Sequence, residues 1–248
     1  MEQKLSKKVF HICMIIVIIA IILFAVGFLV LRYQVEGETN LPFEISKISI
    51  ISSIDGKDNK DDANKWNLTV NQNNDVYIYI DKNNNYNKTE IIDSVIIDNI
   101  TINKNSEKGE VHIYKPTEKG TAIFENVQDN IIEQLAYIGD MESNIKGLKI
   151  SNQGGVIVVR FANDNVSIYT SNDAEQVDYS KLLKETKITY DDLKATANMD
   201  LTIKLTSGKS FKANITLDIP IEGIIEEGTS SREITDTNNI VFKRIENN

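Results

Sequence analysis

Few side chains in this sequence could support catalysis, and His112 is the first to consider. The chain has two histidines and one cysteine, and both His11 and Cys13 lie in a long apolar N-terminal run. Ordinary zinc sites and cysteine nucleophiles are therefore excluded, and a Ser-His-Asp triad would have to recruit His112. Its neighbours Val111 and Ile113 are typical of a strand. The sequence favours a structural or surface role for His112, with a functional role as the alternative.

Adjacent carboxylates are the second kind of chemistry to weigh. Glycoside hydrolysis needs two carboxyl groups at a defined separation, usually in a cleft. The chain contains the pairs Asp61-Asp62, Asp191-Asp192 and Glu226-Glu227. Solvated turns and helix caps contain such pairs more simply. No catalytic residue is therefore predicted.

Calcium binding is the third possibility. Asp81, Asn83 and Asn85 place oxygen ligands at alternate positions, as the start of an EF-hand-type loop does. The sequence then departs from the EF-hand pattern, because Tyr86 stands where that loop needs glycine and Ile92 stands where it needs a bidentate glutamate.

A second acidic loop could also gather side chains around a cation. Its carboxylates are Asp55, Asp58, Asp61 and Asp62. Hydrophilic loops are the simpler interpretation of both stretches, so no metal ligand and no cofactor-binding residue are predicted.

The location of the rest of the chain depends on residues 9–31, an unbroken run of 23 residues without a formal charge. A helix rises about 1.5 Å per residue, so the run would cover about 34 Å, enough to cross a hydrocarbon core of about 30 Å. Within lipid, a helix satisfies its own backbone groups. The run predicts a transmembrane helix.

The cations around this run predict its orientation. Lys4, Lys7 and Lys8 precede it, whereas only Arg32 follows it before two glutamates. By the positive-inside rule, residues 1–8 are cytoplasmic and the chain beyond the span is outside. Residues 32–43 then form a juxtamembrane segment, and residues 44–248 form an extracytoplasmic β-rich region of one large or two smaller domains.

A cleaved signal peptide is the alternative, with Ala25-Val26-Gly27 as the small-residue cleavage site. The apolar run is long for a signal sequence and continues to Leu31, which favours a retained anchor. A lipoprotein is less consistent, because no small residue precedes Cys13.

Charge limits the partners of the exported region. The whole chain has a formal net charge of −9, and residues 1–32 carry four cations and one anion, so the remainder carries −12. Such an acidic surface repels phosphate backbones, and nucleic-acid binding is not expected. Because Cys13 is the only cysteine, no disulfide is predicted for the exported region.

The first half of the exported region predicts strands at residues 44–54, 66–70, 76–80, 90–102 and 111–114. Polar stretches at residues 55–64 and 81–88 predict loops, and the Asn-rich stretch Gln72 to Asp75 predicts a turn between paired strands. Residues 126–138 fit either a helical face or a strand.

The second half predicts a meander of short antiparallel strands at residues 148–151, 156–161 and 166–170, joined by turns at residues 153–155 and 163–165. One or two helical turns are expected at residues 178–185, and Thr189 to Asp192 resembles a capping box. A hairpin of residues 199–205 and 211–219 turns at Ser207-Gly208, and residues 240–245 predict a last strand.

These elements predict a mainly β protein, in which an N-terminal transmembrane helix precedes an antiparallel β-sandwich-like extracytoplasmic region with one or two short helices. Abundant Ile, Asn and Lys, whose codons are AT-rich, indicate a bacterium with a low-GC genome.

Several stretches resemble uncharacterised single-pass membrane proteins of low-GC Gram-positive bacteria. They are Tyr33-Gln-Val-Glu-Gly-Glu-Thr-Asn-Leu-Pro-Phe43, Ile45-Ser-Lys-Ile48, Trp66-Asn-Leu-Thr-Val-Asn-Gln-Asn-Asn74 and Ser151-Asn-Gln-Gly-Gly155. The resemblance covers most of the chain and implies a retained anchor with an exported domain. It carries over no catalytic or binding residue.

The leading hypothesis is a non-enzymatic, membrane-anchored binding or structural protein of the bacterial cell envelope. Residues 9–31 would hold the β-rich region outside, where it binds an envelope protein or a cell-wall polymer. The alternatives are a cell-surface enzyme with unassigned carboxylate or hydroxyl catalysis, and a secreted protein released by signal-peptide cleavage.

Overall fold

The computed structural model describes residues 2–38, 41–60, 64–117, 122–140, 147–171 and 176–246. The strands in this part of the chain are β1 (Phe43–Asp58), β2 (Asn67–Lys82), β3 (Ile92–Lys104), β4 (Glu110–Tyr114), β5 (Leu135–Gly139), β6 (Lys149–Ile150), β7 (Gly155–Thr170), β8 (Ala195–Leu205), β9 (Ser210–Asp218), β10 (Thr229–Ile234) and β11 (Lys243–Ile245). The helices are α1 (Glu2–Glu38), α2 (Leu182–Glu185), α3 (Tyr190–Leu193) and α4 (Ile224–Glu227), with 3-10 turns at Gln128–Asn130 and Tyr179–Lys181.

The predicted mainly β architecture is confirmed, with two packed sheets. Sheet A has the strand order β10-β1-β2-β7-β4 and is antiparallel throughout. Sheet B has the order β11-β9-β8-β3-β5-β6, and its last pair, β5 and β6, is parallel. That pair departs from the predicted antiparallel arrangement.

Helix α1 is the one helix in the described part of the chain that is long and apolar enough to cross a membrane. Its apolar part is Val9–Leu31, and none of it is buried against the rest of the protein. By length and composition alone, a signal sequence near an N-terminus can also meet this criterion.

Strands β1, β2 and β7 are longer than predicted, and two predicted turns are wrong. The Asn-rich stretch Gln72 to Asp75 lies inside β2 and pairs with both neighbouring strands. The stretch Asn163 to Asn165 lies inside β7, so the predicted meander of short strands is also wrong. Strand β1 continues to Asp58, through the first half of the loop predicted at residues 55–64.

Other local predictions are confirmed. Strands β8 and β9 form the predicted hairpin, and Gly208 takes the positive φ of 81° that its turn requires. The Asp192 carboxylate accepts the Thr189 backbone N–H at 2.9 Å in the predicted capping box. Residues 126–138, where helix and strand were both open, form a 3-10 turn and most of β5.

The main hydrophobic core lies between the sheets. Strand alternation places Ile48, Ile78 and Ile157 of sheet A against Leu201 and Phe211 of sheet B, all buried. Strands β1, β2 and β7 extend beyond sheet B. Their far ends pack instead against the short helices, in a second core that contains Leu68, Val70, Val166, Leu182, Leu183, Ile188, Leu193 and Ile224.

Tyr137 connects the two sheets through a backbone group. It belongs to β5 of sheet B, and its hydroxyl donates to the Val158 carbonyl of sheet A at 2.6 Å. The same hydroxyl accepts the Val158 backbone N–H at 2.9 Å. Because β4 pairs only with residues 160–164 of β7, this contact satisfies the strand edge that β4 leaves open.

We expect Tyr137→Phe to lower the free energy of unfolding by about 2 kcal/mol, because it leaves the partly buried N–H and carbonyl of Val158 without their partner. Tyr79→Phe is the matched control on the outer face of sheet A. Urea unfolding of both variants measures the difference, and equal stabilities would contradict the bridging role.

Tyr137→Phe should also change how the stability of the fold depends on pH. Burial raises the pKa of Tyr137 from 10.0 to about 12. The folded chain therefore favours the neutral phenol, whose contribution is fully present below pH 10 and is lost as the pH rises through 12. Stability measured from pH 9 to 12 should fall more steeply for the natural chain than for Tyr137→Phe. If stability fell equally with pH in the two proteins, the Tyr137 phenol would not be the group responsible.

Candidate functional site

A cleft of about 740 Å³ opens on the outer face of sheet A, where β2, β7 and β4 lie side by side. Its lining includes Asn71, His112, Tyr114, Asn126, Gln128 and Asp164. Asn126 and Gln128 come from the segment that follows β4, which packs over β7 through Phe124 and Ile131. The cleft therefore has a sheet as its floor and an irregular segment as its wall.

An irregularity in β7 shapes the floor. Val70 pairs with Ser167 and Gln72 pairs with Asn163, so three residues of β7 stand opposite the single residue Asn71. Asn165, inside this bulge, has a positive φ of 57°, which asparagine tolerates better than most residues. Bulges re-aim side chains, and this one brings Asp164 and Asn165 to the cleft.

His112 and Asp164 form a hydrogen-bonded pair in the cleft. The histidine Nδ1 lies 2.9 Å from the Asp164 Oδ2, and the side chains are 32% and 12% exposed. An ionised carboxylate only accepts hydrogen bonds, so Nδ1 carries the proton. In the neutral imidazole, Nε2 is then a hydrogen-bond acceptor.

Asp164 is held by two further donors. The Tyr114 hydroxyl donates to Oδ2 at 2.8 Å, and the Asn126 side-chain amide donates to Oδ1 at 3.4 Å. Burial, together with the hydrogen bond to Asp164, raises the pKa of the Tyr114 phenol, so it remains a neutral donor. The carboxylate is thus fixed on both oxygens.

Arg160 fastens the wall of the cleft to its floor. The guanidinium makes a bidentate pair with Asp75, at 2.6 and 2.9 Å, and donates to the Asn126 Oδ1 at 3.0 Å. It also lies 4.5 Å from the centroid of the Phe124 ring. Since an arginine only donates, the Asn126 oxygen must face Arg160 and its amide must face Asp164.

Asn71 contributes a side-chain donor to the floor. It is 6% exposed, and its Oδ1 accepts the Asn165 backbone N–H at 2.9 Å. A backbone N–H only donates, which fixes the amide orientation and turns Nδ2 away from that contact. Within the described residues, the Asn71 Nδ2 has no hydrogen-bond partner, and the residue lines the cleft.

Removing one donor from Asp164 should weaken the site measurably. We expect Tyr114→Phe to cost about 2 kcal/mol of unfolding free energy, because the lost hydrogen bond is buried and made to a charged acceptor. Tyr190→Phe is the control, since its hydroxyl donates to Glu226 on the surface, and no measurable change is expected there. Thermal unfolding compares the two, and equal losses would contradict a special role for the buried bond.

Most of the other residues considered from the sequence lie away from the cleft, and Asp55 is the exception. Asp192 is a helix cap and Glu226 accepts the Tyr190 hydroxyl, whereas Asp61 and Asp62 lie outside the described residues. Asp55 lines the cleft.

The EF-hand-like stretch forms a local turn. The Asn83 Oδ1 accepts the Asn85 N–H at 2.9 Å, and the Asn83 amide donates to the Leu41 carbonyl at the same distance. Across the described part of the chain, no three His, Cys, Asp or Glu side chains cluster closely enough to hold a metal ion.

Sequence reasoning identified His112 but missed Asn71, Asn126 and Asp164. Asp164 is 52 residues from His112, and only the pairing of β4 with β7 brings them together. The one sign of the site in the sequence is that Asn163-Asp164-Asn165 interrupts a β-branched run. The composition of these three residues predicts a turn and not a bulge inside a strand.

Comparison with known proteins gives no further assignment, because the chain matches no protein-family model, no curated protein and no solved structure.

Proposed function

We propose that this protein is a membrane-anchored binding protein whose β-sandwich lies outside the cell membrane and binds its ligand in the cleft on sheet A. Helix α1 is the anchor, with residues 1–8 in the cytoplasm and the β-rich region from residue 44 outside. Lys4, Lys7 and Lys8 before the span support this orientation.

The observation that carries the binding role is the fixed network around Asp164. Its carboxylate accepts hydrogen bonds from His112, Tyr114 and Asn126, and Arg160 holds Asn126 in place. Side chains that are already fixed lose little conformational entropy when a ligand binds. The cleft is therefore preorganised for recognition.

Photo-crosslinking in the native cells tests this role. A benzoylphenylalanine would replace Val127 at the cleft wall in one full-length variant and Val241, near sheet B, in the other, since both positions are 48% exposed. The proposal predicts an adduct from position 127 that is absent from position 241. Identical products at both positions, or none at position 127, would overturn it.

An enzyme is the second candidate, because the His112–Asp164 pair is the base-and-orienter half of a hydrolytic triad. Under this alternative, the His112 Nε2 would take a proton from a substrate or from water. Turnover of ester or glycoside substrates by the full chain, abolished by His112→Gln, would establish it. Turnover that persists in His112→Gln would exclude this residue as the base.

A further inference from the structure

We propose that the cleft binds an uncharged carbohydrate, with the Asn71 Nδ2 donating to one hydroxyl and the His112 Nε2 accepting from another. This inference rests on the proposed binding function and names the chemical class of the ligand.

Asn71 supplies the hydrogen-bond donor. The residue is 94% buried and its Oδ1 is committed to the Asn165 N–H, whereas its Nδ2 keeps access to solvent and no described residue accepts from it. Water satisfies this donor in the free protein, and a ligand hydroxyl that replaces the water keeps the hydrogen bond. The position of Asn71 in the lining places that acceptor inside the cleft.

His112 supplies the complementary group. Because its Nδ1–H is committed to Asp164, the neutral ring offers Nε2 as an acceptor, and the side chain is one-third exposed along the cleft. Asn71 lies on β2, two residues from Asn73, and Asn73 is in register with His112 of β4 across β7, so the backbones of Asn71 and His112 are about 12 Å apart. One donor and one acceptor at that spacing suit a ligand with hydroxyls on opposite edges of a sugar unit.

The remaining lining favours a neutral ligand. The exposed Asp55 and Lys57 carry opposite charges, and the carboxylate of Asp164 is already engaged by hydrogen-bond donors of the protein. The other polar contributors are mainly side-chain amides, namely Asn59, Asn126, Gln128 and Asn165. Amides donate and accept at adjacent atoms, which matches hydroxyl groups that do the same. Val127 and Ile131 add apolar surface for the face of a sugar ring.

Direct titration tests the inference on the full chain in phospholipid nanodiscs. The probes are neutral tetrasaccharides of β-1,4-linked N-acetylglucosamine, β-1,4-linked glucose and α-linked mannose, together with an uncharged tetrapeptide capped at both ends. Isothermal titration calorimetry is expected to detect millimolar or tighter binding of at least one tetrasaccharide and none of the peptide.

Two conservative variants locate the contacts. Asn71→Asp keeps an oxygen for the Asn165 N–H and removes the amide donor, whereas His112→Asn keeps a donor for Asp164 and removes the Nε2 acceptor. Each should weaken saccharide binding about tenfold, the loss expected for one net hydrogen bond. Asn85→Asp, in the exposed loop after β2, makes the same charge change as Asn71→Asp and should leave binding unchanged.

Each outcome separates this inference from the function on which it rests. If no tetrasaccharide binds at millimolar concentration while position 127 still captures a protein in cells, the carbohydrate is wrong and the cleft remains a binding site. Saccharide binding that survives both Asn71→Asp and His112→Asn would also overturn the inference. If no saccharide binds and position 127 captures nothing, both proposals fail.

Discussion

Replacing Ile18 and Ile22 with lysine is expected to remove the protein from the membrane fraction. These side chains lie one turn apart in the apolar part of α1, and both face away from the rest of the protein. Each lysine at the centre of a span costs about 2.5–3.5 kcal/mol, so the pair costs about 5–7 kcal/mol. Carbonate extraction followed by immunoblotting measures the change.

The matched control is Ile18→Leu with Ile22→Leu, which keeps the apolar character of the helix and should leave the protein in the membrane. Mass spectrometry of the natural chain distinguishes an anchor from a signal sequence, because a retained anchor predicts that residues 9–31 are present in the mature protein. A double-lysine variant that still resists extraction would contradict the anchor.

The second large effect is expected from Asp75→Ala. The Arg160 side chain is largely buried, with 14% of its surface exposed. The substitution removes the carboxylate that forms a bidentate pair with its guanidinium. Removing one member of a buried ion pair costs about 3–5 kcal/mol. Because Arg160 also holds Asn126 and Phe124, the wall of the cleft should loosen together with the loss of stability. Urea unfolding gives the first effect, and amide hydrogen exchange of residues 122–130 gives the second.

Glu233→Ala is the control for Asp75→Ala, since it breaks an exposed ion pair with Lys47 on the same sheet. Exposed pairs contribute little, so its unfolding should be close to that of the natural chain. If Asp75→Ala lowered the free energy of unfolding no more than Glu233→Ala does, the contacts of Arg160 would not be stabilising the wall of the cleft.

The predictions from sequence that succeeded depend on short-range patterns. The capping box at Thr189 and the hairpin around Gly208 are fixed by residues within a few positions of each other. The uncharged run of residues 9–31 likewise forms the expected long helix without burial against the rest of the described chain. These features can be obtained from one sequence.

The predicted turn at Gln72 to Asp75 failed because long-range bonds stabilise those polar residues inside a strand. The Asn74 amide donates to the Phe161 carbonyl at 2.8 Å, and its Oδ1 accepts the Ser52 hydroxyl at 2.8 Å. A buried polar belt between the two hydrophobic cores therefore replaces the turn that the local composition indicates.

The candidate site was unpredictable for the same reason. His112 appears isolated in the sequence, and its partner Asp164 lies in a stretch whose composition indicates a turn. The turn signal was partly informative, because Asn165 does adopt a left-handed conformation within the strand. A single sequence does not distinguish a bulge of this kind from a hairpin.

Labelling of a cysteine at the cleft shows on which side of the membrane the β-rich region lies. Val127→Cys, in a chain whose natural Cys13 is replaced by serine, would be treated in intact cells with a maleimide that does not cross membranes. The proposed anchor and orientation predict labelling in intact cells to the same extent as in permeabilised cells. Labelling that appears only after permeabilisation would place the cleft in the cytoplasm and contradict the account.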